Sequence, residues 1–131
     1  MTPLPAAADI IAFWKDAGYE RWFARDAAFD VECRRRFEAA HMAAARRELD
    51  GWLDDPEGAL ALMLLLDQFP RNMYRGTAHA FATDPLARAF AERAIAAGAD
   101  TAVPTELRLF FYLPFEHAER LQDQDRCVAL N

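Results

Sequence analysis

Cysteine is nearly missing from this chain: Cys33 and Cys127 are the two among 131 residues, far apart, with no C-x-x-C spacing and no histidine at ligand spacing. Thiols so isolated are expected to be reduced and buried, and they supply neither a disulfide framework nor a zinc site. Lysine is scarcer still, Lys15 being the only one, so the positive charge is otherwise arginine. Fifteen basic residues stand against 21 acidic ones, giving a net charge of -6 and a pI near 5.0. That balance excludes the basic face that neutralises phosphates, so no nucleic-acid partner is expected. Long apolar runs are absent as well. The longest, ALALMLLL at Ala59–Leu66, is about a third of what a membrane span needs. The start, MTPLPAAADIIAF, has no basic stretch ahead of an apolar one, so no membrane partner is expected and the expected compartment is the cytoplasm. Phosphate-cradling glycine loops, zinc-protease spacings and strand-like alternation are missing too.

What remains is ample for a core: 53% of the residues are hydrophobic and 12% aromatic, enough for one domain over residues 1–131. Its pattern is helical. Ile10, Ile11, Phe13 and Trp14 fall on overlapping turns that stop at Gly18, and a linker carrying Tyr19, Trp22 and Phe23 follows. Asp26 is placed to cap a long helix in which Phe29, Cys33, Phe37, His41 and Ala45 recur every four residues. On its other face Asp30 with Arg34 and Glu32 with Arg36 are acid-before-base pairs at i,i+4, so the arginine triplet reads as a solvated face. Asp55–Pro56 and Asp84–Pro85 are two helix starts of one kind, an acid as cap and proline in the first turn. The first opens onto ALALMLLL, apolar on every side and therefore central. The second carries Leu86, Phe90, Ala94 and Ile95 on one stripe and ends at Gly98. PTELRLFFYL and PFEHAERLQDQDRCVAL complete the set, divided by Pro114. The expectation is an all-α domain, about six helices in antiparallel pairs around a central apolar helix near residues 56–69.

The central run breaks off at LLLDQFPRN, Leu64–Asn72. Asp67 falls near a helix C-terminus, where the dipole disfavours negative charge, so a cation must hold it. Arg71 and Arg75 are the nearest, and a guanidinium can meet a carboxylate through two parallel hydrogen bonds. Pro70 has no N–H and disfavours helix at Phe69, so the chain is expected to leave the helix axis there. The amides of Gln68 and Asn72 are suited to the backbone groups released at such a corner.

At these residues the sequence resembles a family. LLLDQFPRNMYRGTAHAFATDPLA, followed by FFYLPFEHAERLQDQDRCVAL and preceded by an FW...WF..D..FD pattern, is similar to the bacterial and plant family catalogued as domain of unknown function 924. The likeness runs from about Phe13 to the last residue. It implies an all-helical fold related to tetratricopeptide-like superhelices, and no established activity. The motif positions it carries over are Asp67, Gln68, Phe69, Pro70, Arg71, Asn72, Arg75, Gly76, Phe81, Thr83, Asp84, Pro114, His117 and Glu119. Family members usually continue into a further segment with a second motif-like stretch, whereas this chain ends at CVALN. The resemblance therefore implies a short form, holding half of any site built from both stretches or covering an open apolar face by pairing with a second copy. No tetratricopeptide consensus spacing is present, and the Asp-Pro starts are followed by dissimilar segments.

The histidines invite a chemical reading. Glu38 and His41 have the Glu-x-x-His spacing of di-iron bundles, but no second copy exists, so no metal and no cofactor is expected. His41 also lies on the Phe37 stripe, as a core histidine would. His117 beside Glu116 and Glu119, or His79 after Gly76, has the chemistry to approach Asp67 and act as acid or base. No nucleophile in a recognisable setting accompanies them. The first expectation is a small helical interaction module, taking a protein or peptide partner, with an Asp67–Arg71 network that is mainly structural. The second is an enzyme or binder of a small anion, with Asp67, Arg71, Arg75, His79, His117 and Glu119 converging. A concave pocket lined by at least four of those six favours the second, and a closed, fully paired network the first. If Asp67 is buried and paired, Asp67→Asn is expected to lower stability by about 3 kcal/mol in thermal melts. An unchanged melting temperature would refute a structural role.

Overall fold

The computed structural model describes residues 4–117, and the regular structure among them is helical throughout. We label the helices α1 (Ala7–Trp22), α2 (Ala27–Ala45), α3 (Pro56–Met63), α4 (Phe69–Met73), α5 (Asp84–Ala96) and α6 (residues 109–117). Four 3-10 turns, Asp50–Asp54, Ala78–Phe81, Ala99–Ala102 and Thr105–Leu107, make up part of the connections. Glu119, Cys127 and the continuation expected after residue 117 lie outside the described residues.

The starts follow from local chemistry. Asp26 accepts from the Phe29 N–H at 3.1 Å and Asp55 from the Gly58 N–H at 3.1 Å, each satisfying a donor that the first turn of a helix leaves open. Asp84 departs from expectation. Thr83 precedes α5 without a side-chain cap, and the Asp84 carboxylate turns instead to Arg71. The stop expected at Gly18 is a break inside α1: Gly18 takes φ 78° and ψ 169°, conformations open to glycine, and helix resumes as far as Trp22. The Trp22 indole N–H then donates to the Trp14 carbonyl at 2.6 Å, with the two rings stacked at 5.7 Å. Pro114 does not divide two helices, since residues 109–117 are helical across it.

Packing surrounds the centre. From Ala59 to Leu66 no residue is more than 1% exposed, because α1 and α5 pack against α3 and the 3-10 turns Asp50–Asp54 and Ala99–Ala102 close over it. α2 lies on α4 and presents Phe29, Cys33, Phe37 and His41, all buried, as its four-residue repeat requires. Burial first, with Asp30 and Glu32 nearby, pushes the Cys33 thiol up to about 12, which makes it inert. The outer face of α2 is ion-paired and exposed; the expected Glu32–Arg36 pair forms, and the expected Asp30–Arg34 pair does not. Glu32 takes both Arg35, at 2.6 Å, and Arg36, and their hydrogen bonds hold its carboxyl down at about 2; Arg34 pairs with Glu38 at 3.1 Å. Asp30 points the other way, toward α4. Among the described residues no helix is long and apolar enough to cross a membrane.

Gly58 marks the tightest approach. A Cβ there would lie 2.4 Å from the Trp52 carbonyl oxygen, a backbone atom with little freedom to move. Gly58→Ala, which in an open helix is stabilising, is therefore expected to destabilise by about 1–3 kcal/mol in denaturant titration. A gain in stability would show that the Asp50–Asp54 turn shifts freely.

Candidate functional site

The central helix does not leave its axis at Pro70. It widens into a π-helical turn at Leu64–Gln68, with the Phe69 N–H bonding the Leu64 carbonyl, and runs on to Met73 with Phe69 itself in helical conformation. The reason lies in the ring. Without an N–H, Pro70 cannot serve the Leu66 carbonyl in the α register or the Leu65 carbonyl in the π register, and both residues are wholly buried. Other elements supply donors. His41 Nδ1 on α2 donates to the Leu65 carbonyl at 2.7 Å, and Thr83 Oγ1 donates to that of Leu66 at 2.6 Å. The Arg71 guanidinium donates to the next carbonyl, that of Asp67. Gln68 and Asn72, expected in this role, are used elsewhere.

Asp67 is completely buried and surrounded by donors. Gln68 Nε2 donates to Oδ2 at 2.7 Å, His117 Nδ1 to Oδ1 at 3.0 Å, and Arg71 Nη1 lies 3.3 Å from Oδ1. The stronger partner of Arg71 is Asp84, engaged through both terminal nitrogens at 3.0 and 2.9 Å, a two-point fork. Burial pushes the Asp84 carboxyl up from its ordinary value, and Arg71 opposes that shift. Phe81, though exposed, lies beneath the Arg71 guanidinium at 5.3 Å from the ring centre. Arg75 does not reach Asp67. It binds Asp30 at 2.8 and 3.2 Å, while Asn72 donates to the same carboxylate at 2.9 Å. Gly76 takes φ 84° in the turn that follows.

His79 does not join this group either. Its Nε2 meets Nε2 of His41 at 3.2 Å, and its ring lies 4.2 Å from that of Tyr74, whose hydroxyl donates to Glu38 at 2.6 Å. The Glu38–His41 spacing thus serves two separate partners, and no cluster of three potential metal ligands occurs among the described residues. This second cluster was not legible in the sequence. The four-residue stripe of α2 places His41 inside, but the identity of its partner depends on where the Ala78–Phe81 turn comes to rest.

A cleft of about 290 Å³ opens beside the Asp67 network, lined by Trp22, Phe23, Ala24, Gln68, Arg71, Asn72, Arg75, Leu113 and His117. Three of the six candidate residues therefore line it, and Asp67 lies behind, bonded to two of them. A larger hollow of about 770 Å³, with Arg36 among its lining residues, touches Phe13, Asp26 and Phe29 of the early FW...WF..D..FD pattern but none of the six candidate residues, and its Asp26 and Glu32 are already committed to a helix cap and to arginines.

Thr83 offers a direct check on the carbonyl arrangement. Thr83→Val keeps the shape but leaves the Leu66 carbonyl buried without its side-chain donor, and is expected to cost about 1–3 kcal/mol, whereas Thr83→Ser retains most of the stability. Equal melting temperatures for the two variants would show that another donor takes over.

Comparison with known proteins agrees with the residues that carry the motif. No curated protein matches the chain. A solved structure, a protein of unknown function designated ATU0120 from Agrobacterium tumefaciens, is similar at 64% identity over 95% of this chain and 71% of that one, with a TM-score of 0.85. The model of the family described as bacterial protein of unknown function, DUF924, matches residues 10–131. The chain belongs to the DUF924 family, for which no activity is established.

Proposed function

We propose that this protein is a small helical binding module in which the Asp67–Arg71–Asp84 network is framework and the adjoining cleft receives a small molecule with an anionic group. The observation that carries the proposal is the setting of His117. Its Nδ1 is held at 3.0 Å by a carboxylate with no exposure to solvent, while the ring lines the cleft. A carboxylate accepting from Nδ1–H fixes the tautomer and leaves Nε2 as the acceptor nitrogen, with no partner among the described residues. Arg71 and Arg75 line the cleft with Gln68 and Asn72, and among the described residues no carboxylate lines it. The acids are behind the arginines, which they orient and partly neutralise, so recognition of an anion here is by directed hydrogen bonds more than by net charge. Trp22, Phe23 and Leu113 supply the apolar part of the lining.

Nuclear magnetic resonance titration with phosphate, acetate and benzoate tests this. The expected result is saturable shifts confined to Asn72, Arg75, Leu113 and His117, with affinity weakened by about tenfold or more in His117→Gln, the loss of one hydrogen bond to a charged group. Arg71 is left intact in this experiment, because its removal strands two buried carboxylates. Shifts scattered over the surface, or none with any probe, would refute the cleft as a ligand site and leave interaction with a protein partner as the function.

A further inference from the structure

His41 and His79 form a hydrogen bond whose proton count can be worked out. His41 is wholly buried, and its Nδ1 must carry a proton because its partner is a carbonyl, that of Leu65. Nε2 of neutral His41 is then an acceptor, so His79 presents Nε2–H to it across 3.2 Å. One added proton leaves the contact intact, because whichever ring is then neutral accepts at Nε2 from the other. A second proton has only the remaining Nε2 lone pair to occupy. It would set two N–H groups, on two cations, face to face.

The surroundings decide which ring yields. On α2, Glu38 faces the pair, but its carboxylate already takes the Tyr74 hydroxyl at 2.6 Å and Arg34 at 3.1 Å, and the Arg34 guanidinium lies over the Tyr74 ring. From the central helix the neighbour is the Leu65 carbonyl, and from the segment after α4 it is Tyr74, a neutral phenol. His41 is anchored on a long helix at the centre. His79 sits in a four-residue 3-10 turn, Ala78–Phe81. That turn carries Phe81 beneath Arg71 and leads directly to Thr83 and Asp84, which hold the Leu66 carbonyl and the Arg71 fork.

We infer that the His41–His79 pair is a proton-operated clasp, closed with no added proton or one and opened by the second, which releases the Ala78–Phe81 turn and loosens the grip of Phe81 and Asp84 on Arg71. Its effect on the cleft rests on the function proposed above; the clasp itself does not. Burial, and then the neighbouring His79, hold the His41 imidazole below its ordinary value against the opposing pull of the Leu65 carbonyl and Glu38. At His41 the folded state therefore binds fewer protons than the unfolded chain in mild acid. The stability contributed is complete above the unfolded value near 6.5 and is lost as pH falls from there through the folded value.

The test is carried out on the full chain without ligand, so an inert cleft leaves its outcome unaffected. Histidine side-chain nitrogen spectra and amide exchange, corrected for the intrinsic rate, are followed from pH 8 to 5. The expected tautomers at pH 8 are Nδ1–H for His41 and Nε2–H for His79. The Ala82 amide, which donates to the His79 carbonyl at 3.2 Å, should keep its protection while the pair carries no added proton or one. It should then lose about tenfold for each further pH unit as the second proton is taken up, with the Ala59 amide of α3 unchanged. His79→Asn should abolish the acid step. The clasp is overturned by a His41 proton on Nε2 at pH 8, by titration of both rings without change at Ala82, by simultaneous loss at Ala59, or by an acid step that survives in His79→Asn. Should that variant not fold, the wild-type spectra decide alone.

Discussion

A helix that runs through a proline must find foreign donors for the carbonyls the ring leaves open, and the organisation of this motif follows from that constraint. The donors come from different parts of the chain: His41 from α2 and Thr83 from the segment before α5. Meeting the needs of one turn of the central helix therefore ties two other elements to that turn. Widening into a π-helical turn is the local adjustment that lets the backbone pass the ring without a sharp kink. The surrounding helices then cover what the adjustment exposes, and the apolar run before it lets them approach from every side.

Charge is arranged around the same turn. Two buried carboxylates, Asp67 and Asp84, share Arg71, and the geometry of guanidinium makes the sharing workable: the fork to Asp84 leaves Nη1 within reach of Asp67 and of its backbone carbonyl. A lysine, a single point of charge, has no equivalent arrangement. Gln68 and His117 complete the shell of Asp67 with directed donors, so that burial of a full charge is met by hydrogen bonds on every side that the described residues supply. Arg75 and Asn72 repeat the pattern one turn later on Asp30, which cross-links α4 to the start of α2.

The parts legible in the sequence were those decided by neighbours in the chain. The caps at Asp26 and Asp55, the buried stripe of α2 and the all-round burial of ALALMLLL are consequences of local chemistry and periodicity, and all three stand. The departures occur where a distant partner outbids the local one. Asp84 has the sequence of a cap, yet a guanidinium from α4 offers two hydrogen bonds where a helix end offers one. Asp30 has Arg34 four residues on, yet faces Arg75 and Asn72. Pro70 predicts a corner if the helix is alone; with His41 and Thr83 in place, continuing is the better solution. Of the candidate site, Asp67, Arg71 and His117 do come together, whereas His79 is drawn away by His41.

The residues around Asp67 are spread along almost the whole described chain: Asp30, His41, Asp67, Thr83 and His117 come from segments that contact one another only when the helices have assembled. The bonds of His41 and Asp30 need α2 beside the central helix, those of Thr83 and Asp84 need the segment before α5 and the start of α5, and that of His117 needs α6, so a chain lacking any one of these segments would leave a charge or a carbonyl short of a partner. The network thereby penalises partly folded forms more than it strengthens the finished one. It acts as a proofreading device for assembly, favouring the complete arrangement in a protein whose core alone, being so rich in interchangeable leucine and alanine, would tolerate many looser ones.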